Sequence, residues 1–184
     1  MNTNKKVIWI TRTALFLAVA LIAQLVGMNM GGQFFGQILT GSLVNMALIV
    51  AGIVVGISSG ITIAILSPCL AFVFGMMKFI PAIPVVMAGN ITIVVLTALI
   101  YKYLSSKTGA PIAQSIYIFL GMVISACAKC AVMWLSALFI LPIFVTVPPA
   151  IVASFSIPQI LTGSIGGLIA IIVIPSLIKV RHNI

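Results

Sequence analysis

Pro111-IAQSIYIFLGMVISACAKCAVMWLSALFI-Leu141 is an apolar run with one formal charge, Lys129, near its middle. A helix that crosses a bilayer needs roughly 20 predominantly apolar residues, and this run exceeds that length. An ammonium at that depth normally pairs with a carboxylate, a backbone carbonyl or water. The chain of 184 residues contains no Asp or Glu at all. The absent counterion is therefore read as a ligand, against the plainer alternative of a lysine whose head snorkels to the interface or is held neutral by burial.

The rest of the chain resembles this run. Hydrophobic residues make up 63% and charged residues 5%, and mean hydropathy is +1.41. Such a composition cannot present a soluble surface, so the expected fold is all-α, a polytopic membrane bundle of about six helices. A single transmembrane domain over residues 1–184 accounts for the length, since no polar tract marks a linker. The formal charge of +9 does not point to nucleic acid, because the basic residues punctuate helix ends instead of clustering on one face.

Six spans are expected at about residues 8–27, 37–55, 60–77, 84–104, 111–141 and 152–178. Gly56-Ile-Ser-Ser-Gly60 reads as a tight reversal between the second and third, and Pro142, Pro148 and Pro149 as the stop of the fifth. Lys5, Lys6, Arg12, Lys102, Lys107, Lys179 and Arg181 all fall on one side of such a bundle. The excess of basic residues on cytoplasmic loops then places both termini in the cytoplasm, with helix one as an uncleaved span.

Lys78 and Lys129 stand outside that pattern. Lys78 falls at the outer end of helix three, where it reads either as an interfacial anchor or as a site residue. Lys129 is ~18 Å from the outer end of helix five at 1.5 Å per residue, deep for snorkelling alone. Met122, Ser125, Lys129, Met133 and Ser136 recur at helical spacing and form one face, suited to a pocket or to interhelical packing with each Ser bonded to its own backbone. Gln24, Asn45, Asn90 and Gln159 all lie in the outer half of their helices. Unpaired amides in hydrocarbon are costly, so their shared depth points to a cavity opening outward. The loop Met28–Gln37 carries three glycines and Phe34-Phe35, and reads as a lid in which Gln33, Gln37 and Phe34 reach a solute.

The inventory excludes much chemistry. With no carboxylate and one His, in the basic tail, there is no acid–base pair, no His-centred triad and no hard-metal cage, so neither an enzyme nor a cofactor is expected. Cys127-Ala-Lys-Cys130 matches C-x-x-C only as a string inside a membrane helix and reads as packing thiols. There is no P-loop, and no acidic residue to couple transport to protons or sodium in the usual way. Concentrative uptake by this chain needs an outside source of energy.

Several segments together resemble the substrate-binding S components of energy-coupling-factor (ECF) transporters, small six-helix bacterial proteins that capture vitamins. They are Arg12-Thr-Ala14-Leu-Phe-Leu-Ala18-Val-Ala20, Gly41-Ser-Leu-Val-Asn45 through Gly56-Ile-Ser-Ser-Gly60, and Pro81-Ala-Ile-Pro84 before Asn90. The resemblance covers essentially the whole chain. It implies a bacterial plasma-membrane importer in which a transmembrane T subunit docks on small-residue surfaces such as Ala14 and Ala18 and two ATPases drive uptake. It also implies a vitamin-like solute. Lys129 favours an anionic or carboxylated one, pantothenate-like as the leading guess, over a cation, and Asn45, Asn90, Ser125, Met133, Gln159, Gln33, Phe34 and Lys78 complete the expected contacts. An autonomous channel that needs no ATPase is the alternative from another class, and a subunit without any solute is a third.

Overall fold

The computed structural model describes residues 3–29, 33–105 and 111–182. The described elements are helical throughout: α1 (Thr3–Asn29), α2 (Gln33–Val50), α3 (Ile57–Val73), α4 (Ala82–Ser105), α5 (Pro111–Leu135), α6 (Leu141–Phe144), α7 (Pro149–Ser154) and α8 (Ile157–His182). Single π-helical stretches, Ala51–Val55 and Ser136–Ile140, extend α2 and join α5 to α6. Helices are the physical outcome of these runs, because hydrocarbon offers no partner to a free backbone N–H or C=O. Five spans are long and apolar enough to cross a membrane, while α3, at 17 residues, is shorter.

The reversal expected over five residues takes place at Gly56 alone. Its φ of 136° is open to glycine and strained for any other residue. The Gly56 N–H bonds to Ala51 O at 3.0 Å and its own carbonyl accepts from Ser59 N at 3.0 Å, so one residue closes one helix and opens the next. Ser58, Ser59 and Gly60 are already inside α3.

Two other boundaries also move. Pro142 does not stop the fifth span; it sits in the first turn of α6, where a proline's missing N–H is tolerated, and the helical path runs on to Phe144. The sixth span begins as two pieces, because α7 ends at Ser154, capped by Phe155, and α8 restarts at Ile157 with Pro158 in its opening turn.

Packing arranges the spans as a closed ring in the order α1, α2, α8, α5, α4, α3 and back to α1, with α2 and α4 touching across the middle. Glycines permit the closest approaches. A Cβ on Gly60 would lie 3.0 Å from Gly52 Cα, and one on Gly163 of α8 would lie 2.5 Å from Ala126 Cβ of α5. The half of the ring nearest the N-terminus of α1 is filled by Leu48, Ile49, Val50, Ala51, Ile63, Ala64, Ile93 and Val94. A smaller cluster of Ala82, Val85, Met133, Ala137, Leu141 and Phe155 closes the opposite, distal end on the α4–α5 side. Between the two clusters the interior is hollow.

Candidate functional site

The hollow is a cavity of about 730 Å³ lined from every wall of the ring. Volumes of this order suit small-molecule sites. Its deep polar feature is Lys129, 4% exposed. The Lys129 Nζ donates to Asn45 Oδ1 at 2.7 Å and to Asn90 Oδ1 at 2.8 Å, tying α5 to α2 and α4. Asn45 Nδ2 in turn donates to Thr162 Oγ1 at 3.2 Å, and that hydroxyl to Gln159 O at 3.3 Å on α8. Lys129 is thus held by two neutral carbonyl dipoles and by no opposite charge.

The mouth has a second polar group. Gln37 Nε2 and Gln159 Nε2 both donate to Ser154 O, at 3.1 and 3.0 Å, which fixes the α7–α8 elbow beside the cavity. Met76 and Met77 reach the cavity from the link after α3, where their N–H groups bond to Ala71 O at 2.8 and 3.2 Å. Val44, Val86, Met133 and Phe155 supply apolar wall.

Of the residues expected from sequence, Lys129, Asn45, Asn90, Gln159, Met133, Gln24 and Gln37 line this cavity together. Ser125 is on the same helix as Lys129 but turns its hydroxyl to Gly121 O at 2.8 Å and is not in the lining. Lys78 is exposed on the link between α3 and α4, because α3 ends at Val73 and leaves it outside the helix and the cavity. Phe34 is 56% exposed, stacks edge-on against Phe35 with centroids 6.2 Å apart, and is not in the lining. Residues 30–32 of the expected lid and the Gln33 side chain lie outside the described residues. Ala14 and Ala18 are exposed on the outer face of α1.

Thr40, Thr162, Met76, Met77 and Ser154 line the cavity without having been singled out by the sequence. A threonine or methionine in an apolar helix carries no signal that separates wall from packing. Cys69, Cys127 and Cys130 are free thiols, and Cys130 Sγ lies 3.2 Å from Ser156 O.

The family model of the ECF transporter substrate-specific component matches residues 9–178. This chain belongs to that family. No curated protein and no solved structure matches it. As an S component it is a multi-pass membrane subunit of a transporter, and the family works on a small-molecule substrate in association with a T subunit and ATPases. The cavity in this S component joins all six spans of the ring through hydrogen-bonded side chains or lining contacts, so it is built by the closed ring and not by any single helix.

Proposed function

We propose that this S component captures an anionic, carboxylated vitamin-like solute, pantothenate-like in chemistry, on Lys129. The supporting observation is the ammonium bonded to two amide oxygens in a chain without Asp or Glu. An ammonium has three N–H donors, so two bonds leave one for a solute carboxylate, and the solute supplies the missing negative charge. A cationic solute would meet like charge in a poorly solvated site.

On this reading the whole chain is one substrate-binding domain in a bacterial plasma membrane. Lys5, Lys6, Arg12, Lys102 and Lys179 gather at the end remote from the cavity, which supports cytoplasmic termini and a cavity facing outward. A T subunit and two ATPases then supply the energy for uptake.

Calorimetric titration of the purified chain tests the reading. Pantothenate should bind and thiamine should not, and Lys129→Met should weaken pantothenate by about ten- to a hundred-fold while the protein stays monodisperse, the scale of a lost charge-assisted bond. Unchanged affinity in Lys129→Met removes the counterion role. In proteoliposomes the chain alone should bind without accumulating solute, and uptake should become ATP-dependent when the T subunit and ATPases are added. Partner-independent flux would favour a channel.

A further inference from the structure

The wall facing Lys129 carries polar atoms with no partner. In the ring order, α1 lies opposite α5 and α3 opposite α8. Gln24 on α1 and Ser67 on α3 both line the cavity from that side. Among the described residues, Gln24 Oε1 and Ser67 Oγ are buried and make no hydrogen bond, and Ser67 is 1% exposed.

Ser67 differs from several other helical hydroxyls of this chain, which return to the carbonyl four residues back: Thr13 to Trp9 O at 2.7 Å, Thr92 to Ala88 O at 2.8 Å, Ser125 to Gly121 O at 2.8 Å and Ser136 to Val132 O at 2.6 Å. Ser67 had the same option and leaves it unused, beside Pro68, which also lines the cavity. A buried hydroxyl without a partner costs about 1–3 kcal/mol, a cost that a solute group can remove.

The two groups are close in level. The Thr13 Oγ1 to Ser59 Oγ contact of 2.8 Å sets the register of the parallel helices α1 and α3. At ~1.5 Å per residue, Gln24 lies ~16 Å and Ser67 ~12 Å beyond that contact, less than one turn apart.

We infer that Gln24 and Ser67 form a second recognition pole, which hydrogen-bonds a neutral hydroxyl or amide at the far end of the solute whose carboxylate meets Lys129. The inference rests on the carboxylate reading above. Carboxamide and hydroxyl can each accept and donate, so the pole selects a neutral polar group and has no charge to offer an ionic one. Val44, Val86 and Ala71 add apolar lining to the same cavity. The solute class is therefore bipolar: an anion at one end, an uncharged hydroxyl or amide at the other.

Matched probes test it on the full chain by calorimetry: pantothenate, and N-(3,3-dimethylbutanoyl)-β-alanine, the same carboxylate skeleton without the hydroxyls. Wild type should bind the hydroxyl-free probe about three- to tenfold more weakly, the scale of one or two neutral hydrogen bonds. Ser67→Ala and Gln24→Leu should weaken pantothenate by a similar factor and shrink the difference between probes. Ser42→Ala should change neither, since Ser42 Oγ is also unpartnered but lies outside the cavity lining. Equal binding of the two probes by wild type, or full discrimination retained in both variants, overturns the pole even if Lys129→Met still abolishes binding. Discrimination that depends on Ser67 and Gln24 while Lys129→Met changes nothing would keep the pole and overturn the carboxylate reading. Failure of wild type to bind either probe at millimolar concentration overturns both.

Discussion

The two halves of this bundle solve the same problem in opposite ways. Near the chain termini the ring is packed solid, and its hydroxyls turn back to their own helices, Thr13 to Trp9 O at 2.7 Å and Thr97 to Ile93 O at 2.6 Å, while Thr13 also meets Ser59 where α1 packs on α3. In the distal half the polar groups reach between helices, Lys129 to Asn45 and Asn90, Asn45 to Thr162, Gln37 to the Ser154 carbonyl. Among the described residues, Gln24 Oε1 and Ser67 Oγ have no partner. Helices in lipid gain little from burying apolar surface against one another, so close approach of small residues holds the first half, and directional hydrogen bonds hold the second. One half is a clamp and the other a vessel.

Gly60→Val gives the largest expected effect and tests the packed half. Its Cβ would meet Gly52 Cα at 3.0 Å and Val94 Cγ1 at 2.5 Å, with backbone on one side that cannot yield. Overpacking of this kind costs about 1–3 kcal/mol and occasionally more, so the detergent-solubilised protein should melt well below wild type. Whatever fraction remains folded should bind solute with near-normal affinity. A variant that melts normally would show that the packed half has slack.

Asn90→Leu probes the vessel. It removes one of the two oxygens that hold Lys129, a charge-assisted bond of about 1.5–3 kcal/mol. Titration should reveal weaker solute binding as the ammonium loses its aim, together with a modest fall in melting temperature. If affinity is untouched, the α4 anchor has no part in positioning Lys129.

Ala14→Leu with Ala18→Leu acts outside both halves, on the exposed face of α1. The pair should leave titrations unchanged and reduce co-purification with the T subunit, because longer side chains hold an opposing helix away. Normal recovery of the complex would take this face out of the interface.

The smallest effect belongs to Thr97→Val. Its hydroxyl bonds only within its own helix, to Ile93 O and, at 3.2 Å, to Val94 O. The substitution keeps the shape of the side chain and should cost less than about 1 kcal/mol, with no change in affinity. A measurable loss of binding would mean the two halves are coupled more tightly than their separate hydrogen bonds suggest.

The spans were legible because a run of apolar residues in hydrocarbon has one backbone solution, and Lys129, Asn45 and Asn90 because charged and amide groups stand out against leucine and isoleucine. Orientation within a helix was less legible. These helices are apolar nearly all round, so periodicity does not say which face looks inward; Ser125 sits one turn from Lys129 yet bonds to its own helix. Lys78 was displaced from the expected site by the early end of α3 at Val73, a boundary set by Gly75, whose φ of 72° favours glycine. The cavity wall of Thr40, Thr162, Met76 and Met77 depends on the ring order, which pairs α2 with α8 across most of the sequence. No local pattern encodes that pairing.

The lack of any acidic residue has an electrical consequence for the transport cycle. With a carboxylate bound on Lys129, the site is neutral, and a membrane voltage does no net work on it. An empty site with an ammonium at Lys129 carries one positive charge, and displacing a full elementary charge across the membrane changes the energy by about 2.3 kcal/mol per 100 mV. On the carboxylate reading voltage acts on the unloaded carrier and spares the loaded one, so a negative interior opposes the outward return of the vacant site and not the inward step with its anionic cargo.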